Sequence, residues 1–272
     1  MQTPFPPEPA EGAVLGTGAH PDDYPRAALV TGAALRLGRA IALDLADAGW
    51  SVVLHHRNSE TAARALEAEI SARGGTAVAL KADLAQEDQA AGLISRAVDA
   101  VGPLGLLVNN ASVFEPDLTS DATRESWDLH METNLRAPFV LTQAFAAALP
   151  SGAGGLVANL LDDRVLALPG DYISYSLSKA GLWTLTRSLA IALAPTIRVV
   201  GIGPGHSLPA RGETEASFRT AIERLPLARS APPADICLAL RFFIACKSVT
   251  GQMIALDSGR HLVGRPYERT AS

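Results

Sequence analysis

From Arg26 onward, short apolar runs alternate with longer segments whose apolar residues recur every three to four positions. The short runs predict strands at Ala27–Val30, Ser51–His55, Thr76–Leu80, Leu104–Val108, Leu156–Leu160, Ile197–Ile202 and Met253–Leu256. The longer segments predict helices at Arg39–Ala48, Thr61–Arg73, Glu87–Val101, Arg124–Ala148, Ser174–Leu193 and Pro233–Cys246, with Gly49 and Gly74 as helix stops. Strand and helix in this order are the sequence form of consecutive βαβ units, so the expected fold is α/β with a parallel sheet. No repeat or linker divides the pattern, and residues 26–272 read as a single domain. The irregular stretch from Pro204 to about Glu215 is a candidate lid, extending over the region 204–225.

The residues before this pattern, Met1 to Pro25, lack a basic segment followed by an apolar one and read as a flexible extension with no export signal. No run of about 18 apolar residues is present, so no membrane span is expected. With 272 residues, a 48% apolar share and a mean hydropathy of +0.16, the chain can bury a sizeable core. Its net charge of −5 argues against a nucleic-acid partner held by a general basic field. Cys237 and Cys246 lie nine positions apart in one predicted helix and so on opposite faces. They predict two reduced core thiols in a cytoplasmic protein. No metal-ligand cluster is expected.

Candidate chemistry gathers where strands end. The first strand runs into Thr31-Gly32-Ala33-Ala34-Leu35-Arg36-Leu37-Gly38, the strand, glycine turn and helix start of a dinucleotide site. Gly32 permits the turn and Gly38 allows close packing; Arg36 stands where a middle glycine is usual, placing a guanidinium near phosphates or beside substrate. The second strand ends in His55-His56-Arg57-Asn58-Ser59, without the carboxylate that would bind the ribose 2′-hydroxyl of NAD. Arg57, Asn58 and Ser59 would instead donate to a 2′-phosphate, which favours NADPH. Asp83-Leu84 after the third strand suits an adenine rim or, equally, a helix N-cap.

The fourth strand ends in Asn109-Asn110-Ala111-Ser112-Val113-Phe114, small residues that admit a nicotinamide followed by an aromatic face that could stack on a substrate ring or anchor the loop. Asn134 is a polar residue inside the fourth predicted helix, able to bind water, join a proton relay or disturb the helix ladder. Asp162 and Asp163 follow the fifth strand at the same sheet edge. Tyr175 and Lys179, four apart on a helix, share a face, and a cation beside the phenol would bring it into working range as an acid or base.

Taken together, Thr31-Gly32 to Gly38, Asn109-Asn110-Ala111, Tyr175 to Lys179 and Gly203-Pro204-Gly205 resemble the short-chain dehydrogenase/reductase family from Ala27 to about Leu262. The resemblance implies a Rossmann-like doubly wound sheet of seven parallel strands with helices on both faces. It also implies Tyr175 as acid/base and Lys179 holding the nicotinamide ribose, with Pro204 and Gly205 along the cofactor. The usual family pattern has a serine thirteen residues before the tyrosine, and here residue 162 is aspartate. A carboxyl group can pass a proton to a ring nitrogen, as C=N reduction requires.

The pteridine reductase branch is similar in Arg36, in the His-and-Arg end of the second strand, in Ser112 and Phe114, and in Asp162 with Tyr175 and Lys179. Residues 256–262 look like those of bacterial dihydromonapterin reductases. The expected activity is hydride transfer from NADPH to a C=N bond of a dihydropterin or dihydrofolate-like substrate, lined by Arg36, Ser112, Phe114, Asp162, Tyr175 and His206. A ketone reductase of the same family, or an idle NADP-binding sensor, is the alternative. Leu35 in place of a lysine, a one-residue shift in the basic cluster and His206 in the lid depart from the branch. The family's usual homotetramer would find close helix contacts at Ala144, Ala146, Ala147, Ala148, Ala180 and Gly181, and the tail Arg260 to Arg269 could reach a neighbour's site.

Overall fold

The computed structural model describes residues 24–263 other than 211. Seven parallel strands form one sheet in the order β3-β2-β1-β4-β5-β6-β7. They are β1 (Ala27–Val30), β2 (Ser51–His56), β3 (Ala77–Lys81), β4 (Leu106–Asn109), β5 (Gly155–Leu160), β6 (Ile197–Pro204) and β7 (Met253–Leu256). The helices are α1 (Arg36–Asp47), α2 (Glu60–Ala72), α3 (Glu87–Val101), α4 (Arg124–Met131), α5 (Ala137–Ala148), α6 (Ile173–Ala192), α7 (Glu215–Glu223), α8 (Pro233–Ala245) and α9 (Arg260–Val263). Because β2 and β4 flank β1 on opposite sides, the chain reverses direction across the sheet there. That switch opens a crevice beyond the strands' carboxyl ends.

Strand pleating explains how one sheet supports two cores. Val30, Val52, Leu54, Leu106, Val108, Leu156 and Val200 pack with Ile41 and Leu45 of α1, Leu66 and Ile70 of α2, and Leu240 and Phe243 of α8. Their strand neighbours Leu29, Val53, Leu107, Val157 and Val199 pack on the other face with Leu93 and Ile94 of α3, Leu141 and Phe145 of α5, and Leu189 of α6. Each strand is therefore apolar on both sides, which is why it appears in the sequence as a continuous run and not as an alternation.

Every expected strand is present within two residues of its expected ends. The helix expected at Arg124–Ala148 differs: it is broken into α4, a π-helical turn at Glu132–Arg136, and α5. Pro138 supplies the cause, since it lacks an N–H and its ring crowds the preceding turn, so a regular ladder cannot run through it. The irregular stretch expected from Pro204 to about Glu215 ends where α7 begins: Thr214 caps the helix, its side chain accepting from Ser217 N, and Phe218 is buried. Of the two cysteines only Cys237 is a core thiol, its pKa pushed up to about 11 by burial; Cys246 is half-buried just past the end of α8. Both are free. Among the described residues no helix is long and apolar enough to cross a membrane. Residues 1–23 and 264–272, and with them most of the expected extension and tail, lie outside the described part.

Candidate active site

The glycine turn is stapled to the end of β4. Thr31 Oγ1 accepts from the backbone N–H of Asn110 and of Ala111, and Asn110 Nδ2 donates to the carbonyls of Thr31 and Gly32. Gly32 adopts φ +63°, and a Cβ on Gly38 would stand 2.1 Å from the Gly32 carbonyl oxygen. Any side chain at position 38 would therefore force the turn and α1 apart. Arg36 takes φ +54° as α1 opens, and Leu35 at the N-cap makes no side-chain cap, so the first amides of α1 keep their donors for a ligand.

A cleft of about 430 Å³ lies along this turn, bounded by residues 34–38, 55–59, 83–84 and 110–113 together with Gly32 and Thr133. It holds most of the expected cofactor residues: Gly32, Arg36, Leu37, Gly38, His55, Arg57, Asn58, Ser59, Asp83, Leu84, Asn110, Ala111 and Ser112. The residues suit an adenosine phosphate. Leu84 and Ala111 give apolar walls, Arg57, Asn58 and Ser59 give donors, and His56, buried beside them, has an Nδ1 without a hydrogen-bond partner.

Two residues of the group also make hydrogen bonds within the protein. His55 Nδ1 accepts from Gly32 N at 3.0 Å and Nε2 lies 3.1 Å from the Ala82 carbonyl, so both ring nitrogens are used inside the protein. Burial lowers its pKa to about 4, and the neutral ring braces the glycine turn from the edge of the cleft. Asp83 Oδ1 accepts from Ala85 N, closing its own loop; the N-cap of α3 is Gln86.

At the other end of the crevice, Tyr175 Oη donates to Asp162 Oδ2 at 2.7 Å. Asp162 Oδ1 accepts from Arg164 N at 2.9 Å, which fixes the carboxylate over a 3-10 turn at Asp163–Val165. Asp163 turns away and pairs with Arg260 of α9 at 3.2 Å, so Asp162 alone of the two acids faces the tyrosine. Lys179 is buried on the same helix face and donates to the Leu160 carbonyl at 2.8 Å.

The electrostatics differ from the expected activation of the phenol by the lysine. Burial and the Asp162 carboxylate raise the Tyr175 pKa well above its ordinary value, and Arg164 only partly opposes them. Burial lowers Lys179 to about 8. As placed, Tyr175 is a protonated donor whose proton points at a carboxylate.

Phe114 stacks on Tyr172 with ring centroids 4.3 Å apart and meets Tyr175 edge-on at 4.6 Å. Asn134, in the π turn, spends its amide on the loop that carries Phe114: it accepts from Val113 N and Ser112 Oγ and donates to the Val113 carbonyl and Ser178 Oγ. A second tie is invisible in the sequence. Ser174 Oγ meets Asp117 Oδ2 in a short contact and His130 Nδ1 at 2.7 Å, while His130 Nε2 accepts from Glu115 N. With the hydroxyl donating to the carboxylate and Nε2 accepting, His130 must be neutral with its proton on Nδ1.

Arg36 reaches across to the segment after β6, donating to the Pro209 carbonyl at 2.8 Å, rather than to Asp162 or Tyr175. Pro204 ends β6, Gly205 follows with its N–H on the Leu256 carbonyl, and His206 packs edge-on against Phe218 of α7. Arg164 and Tyr172 join the site without belonging to any motif; their signals in the sequence are a basic residue two after Asp162 and a tyrosine three before Tyr175. Of the small residues expected at a helix interface, Ala147 and Ala148 are exposed, but Gly181 closes on Leu135 of the same chain.

Comparison with known proteins agrees with this geometry. The short chain dehydrogenase family profile matches residues 26–216. The 3-oxoacyl-[acyl-carrier-protein] reductase of a Synechocystis strain is 32% identical over 237 residues, covering 85% of this chain and 95% of that one. Among solved structures, FolM alternative dihydrofolate reductase 1 of Brucella canis, complexed with NADP, is 41% identical with a TM-score of 0.85 over 90% of this chain and 97% of that chain. A blue fluorescent protein from a metagenomic library, in complex with NADPH, is 30% identical with a TM-score of 0.79 over 86% and 96%. The chain belongs to the short-chain dehydrogenase family.

Proposed function

We propose that the protein is an NADPH-dependent reductase that adds hydride to a C=N bond of a dihydropterin or dihydrofolate-like substrate. The observation that carries this reading is the 2.7 Å hydrogen bond from Tyr175 Oη to Asp162 Oδ2, a carboxylate where the family's usual pattern has a serine. The dihydrofolate reductases of Brucella, 40–41% identical over nine-tenths of the chain, support it. So does Phe114, an aromatic ring 40% exposed beside Tyr175.

NADPH, when bound, supplies the hydride. Arg57, Asn58 and Ser59 would hold its 2′-phosphate, the first amides of α1 its pyrophosphate, and Lys179 its nicotinamide ribose. As the substrate carbon gains hydride, its nitrogen takes a proton from the Tyr175–Asp162 pair, which refills from solvent. A carboxylate this close lets the proton cross on either oxygen, so the pair can serve a ring nitrogen that a serine hydroxyl would only steady.

The second reading is a carbonyl reductase, favoured by the 3-oxoacyl-[acyl-carrier-protein] reductases, 31–32% identical over most of the chain. NADPH consumption with dihydrobiopterin, dihydromonapterin, dihydrofolate and a panel of ketones separates the two. Turnover of the dihydro compounds is expected. Turnover of ketones alone would leave the carbonyl reductase.

A further inference from the structure

Arg164 lies against the aromatic wall beside Tyr175. Its side chain is only 11% exposed. The guanidinium carbon lies 4.7 Å from the ring centre of Tyr172, 5.1 Å from that of Phe114 and 5.9 Å from that of Tyr175. Its Nε is 3.7 Å from Asp162 Oδ1 and one terminal nitrogen is 3.2 Å from Asp171 Oδ1. One planar group therefore hydrogen-bonds to Asp171, forms a longer ion pair with Asp162 and lies within cation–π range of all three rings of the wall.

Such a site selects arginine over lysine. A delocalised, weakly hydrated plane can lie against aromatic faces while its edge donates to a carboxylate, whereas an ammonium offers a single point charge. Tyr172 sits at φ +50°, a strained conformation for a side-chain-bearing residue, and the Phe114 stack and the Arg164 contact hold it there. The Asp162 carboxylate has its Oδ1 occupied by the Arg164 backbone N–H and faced by the Arg164 side chain, which leaves Oδ2 for Tyr175.

We propose that Arg164 is a positioning residue of the reduction: it turns Asp162 Oδ2 toward the tyrosine and clamps Phe114 on Tyr172 as the wall against which the substrate ring lies. The proposal rests on the reading of Asp162 and Tyr175 as the proton pair. Because Arg164 also opposes the rise of the Tyr175 pKa, its loss leaves the phenol a weaker proton donor as well as a less well aimed one.

The test compares Arg164→Met and Arg164→Lys with the unaltered protein in two measurements. In NADPH-dependent reduction of a dihydropterin, Arg164→Met should lower kcat at least tenfold and raise KM several-fold, with the Kd for NADPH within twofold. Arg164→Lys should recover much of kcat, through its charge, but little of KM. The second measurement needs no substrate: in protein labelled at the tyrosine ζ-carbon, the four tyrosine signals are assigned by single Tyr→Phe changes. Arg164→Met should shift the Tyr172 and Tyr175 signals and leave that of Tyr24 in place. Unmoved Tyr172 and Tyr175 signals, with kcat and KM within twofold, would overturn the proposal. If the unaltered protein reduces no dihydropterin, the substrate assignment fails alone, and the two signals still decide what Arg164 does. Should Arg164→Met not fold, the Lys variant is read by the same two signals.

Discussion

At the scale of single residues, the site depends on where one proton sits. Tyr175 and Lys179 are legible in the sequence because helical spacing puts them on one face, and the resemblance to the family, whose pattern has a serine thirteen residues earlier, points to Asp162. The sign of the electrostatics was not legible. It depends on Asp162 lying 2.7 Å from the phenol and on burial, both of which are products of folding. Tyr175→Phe is expected to cut kcat by about 10²–10⁴-fold, the usual worth of a placed general acid, with NADPH affinity within twofold. Steady-state kinetics alongside cofactor titration would check this; an equal loss of NADPH binding would instead make Tyr175 a binding group. Arg164 is not legible in the sequence because a basic residue in a loop has no period, and the rings it meets lie up to fifty residues away from it.

At the scale of elements, strands buried on both faces and helices with one apolar stripe announce themselves, and their order gave the sheet. Two features did not. The π turn at Glu132–Arg136 follows from Pro138, which was visible, but the continuous apolar pattern around it reads as one helix. The helix α7 buries only Phe218, too little for a period. The brace of β2 on the glycine turn gives an element-level prediction. His55 is neutral in the fold with a pKa of about 4 against an ordinary value of 6.5, so its contribution to stability is complete above 6.5 and lost as pH falls toward 4. The loss should reach about 3 kcal/mol at most, because each tenfold change in proton affinity is worth about 1.4 kcal/mol. A glutamine can accept from Gly32 N and donate to the Ala82 carbonyl without titrating. In urea unfolding, the stability of His55→Gln should therefore fall less steeply than that of the parent between pH 6.5 and 4, and identical slopes would assign the acid sensitivity to His130 or His56, whose pKa values burial also lowers.

At the scale of the molecule, the reversal of strand order between β1 and β4 sets one crevice at the sheet's carboxyl edge, with the cleft along the glycine turn at one end and the Asp162–Tyr175 pair at the other. The cleft predicts which dinucleotide stabilises the protein. A ligand at 100 times its Kd adds about 2.7 kcal/mol, so NADPH should raise the thermal midpoint by several degrees more than equal NADH. Arg57→Ala should erase most of that difference, since one charge-assisted hydrogen bond is worth about 1.5–3 kcal/mol. A midpoint difference that survives the substitution would move the 2′-phosphate to other donors.

Under the proposed function, Asp162 directs the Tyr175 pair to a C=N bond. The most direct test of this role is the ratio of kcat/KM for a dihydropterin to kcat/KM for a ketone, in the unaltered protein and in Asp162→Ser. The ratio should favour the dihydropterin in the parent and fall by at least a hundredfold in the variant, mostly through lost dihydropterin turnover. An unchanged ratio, or a parent that prefers the ketone, would contradict the account.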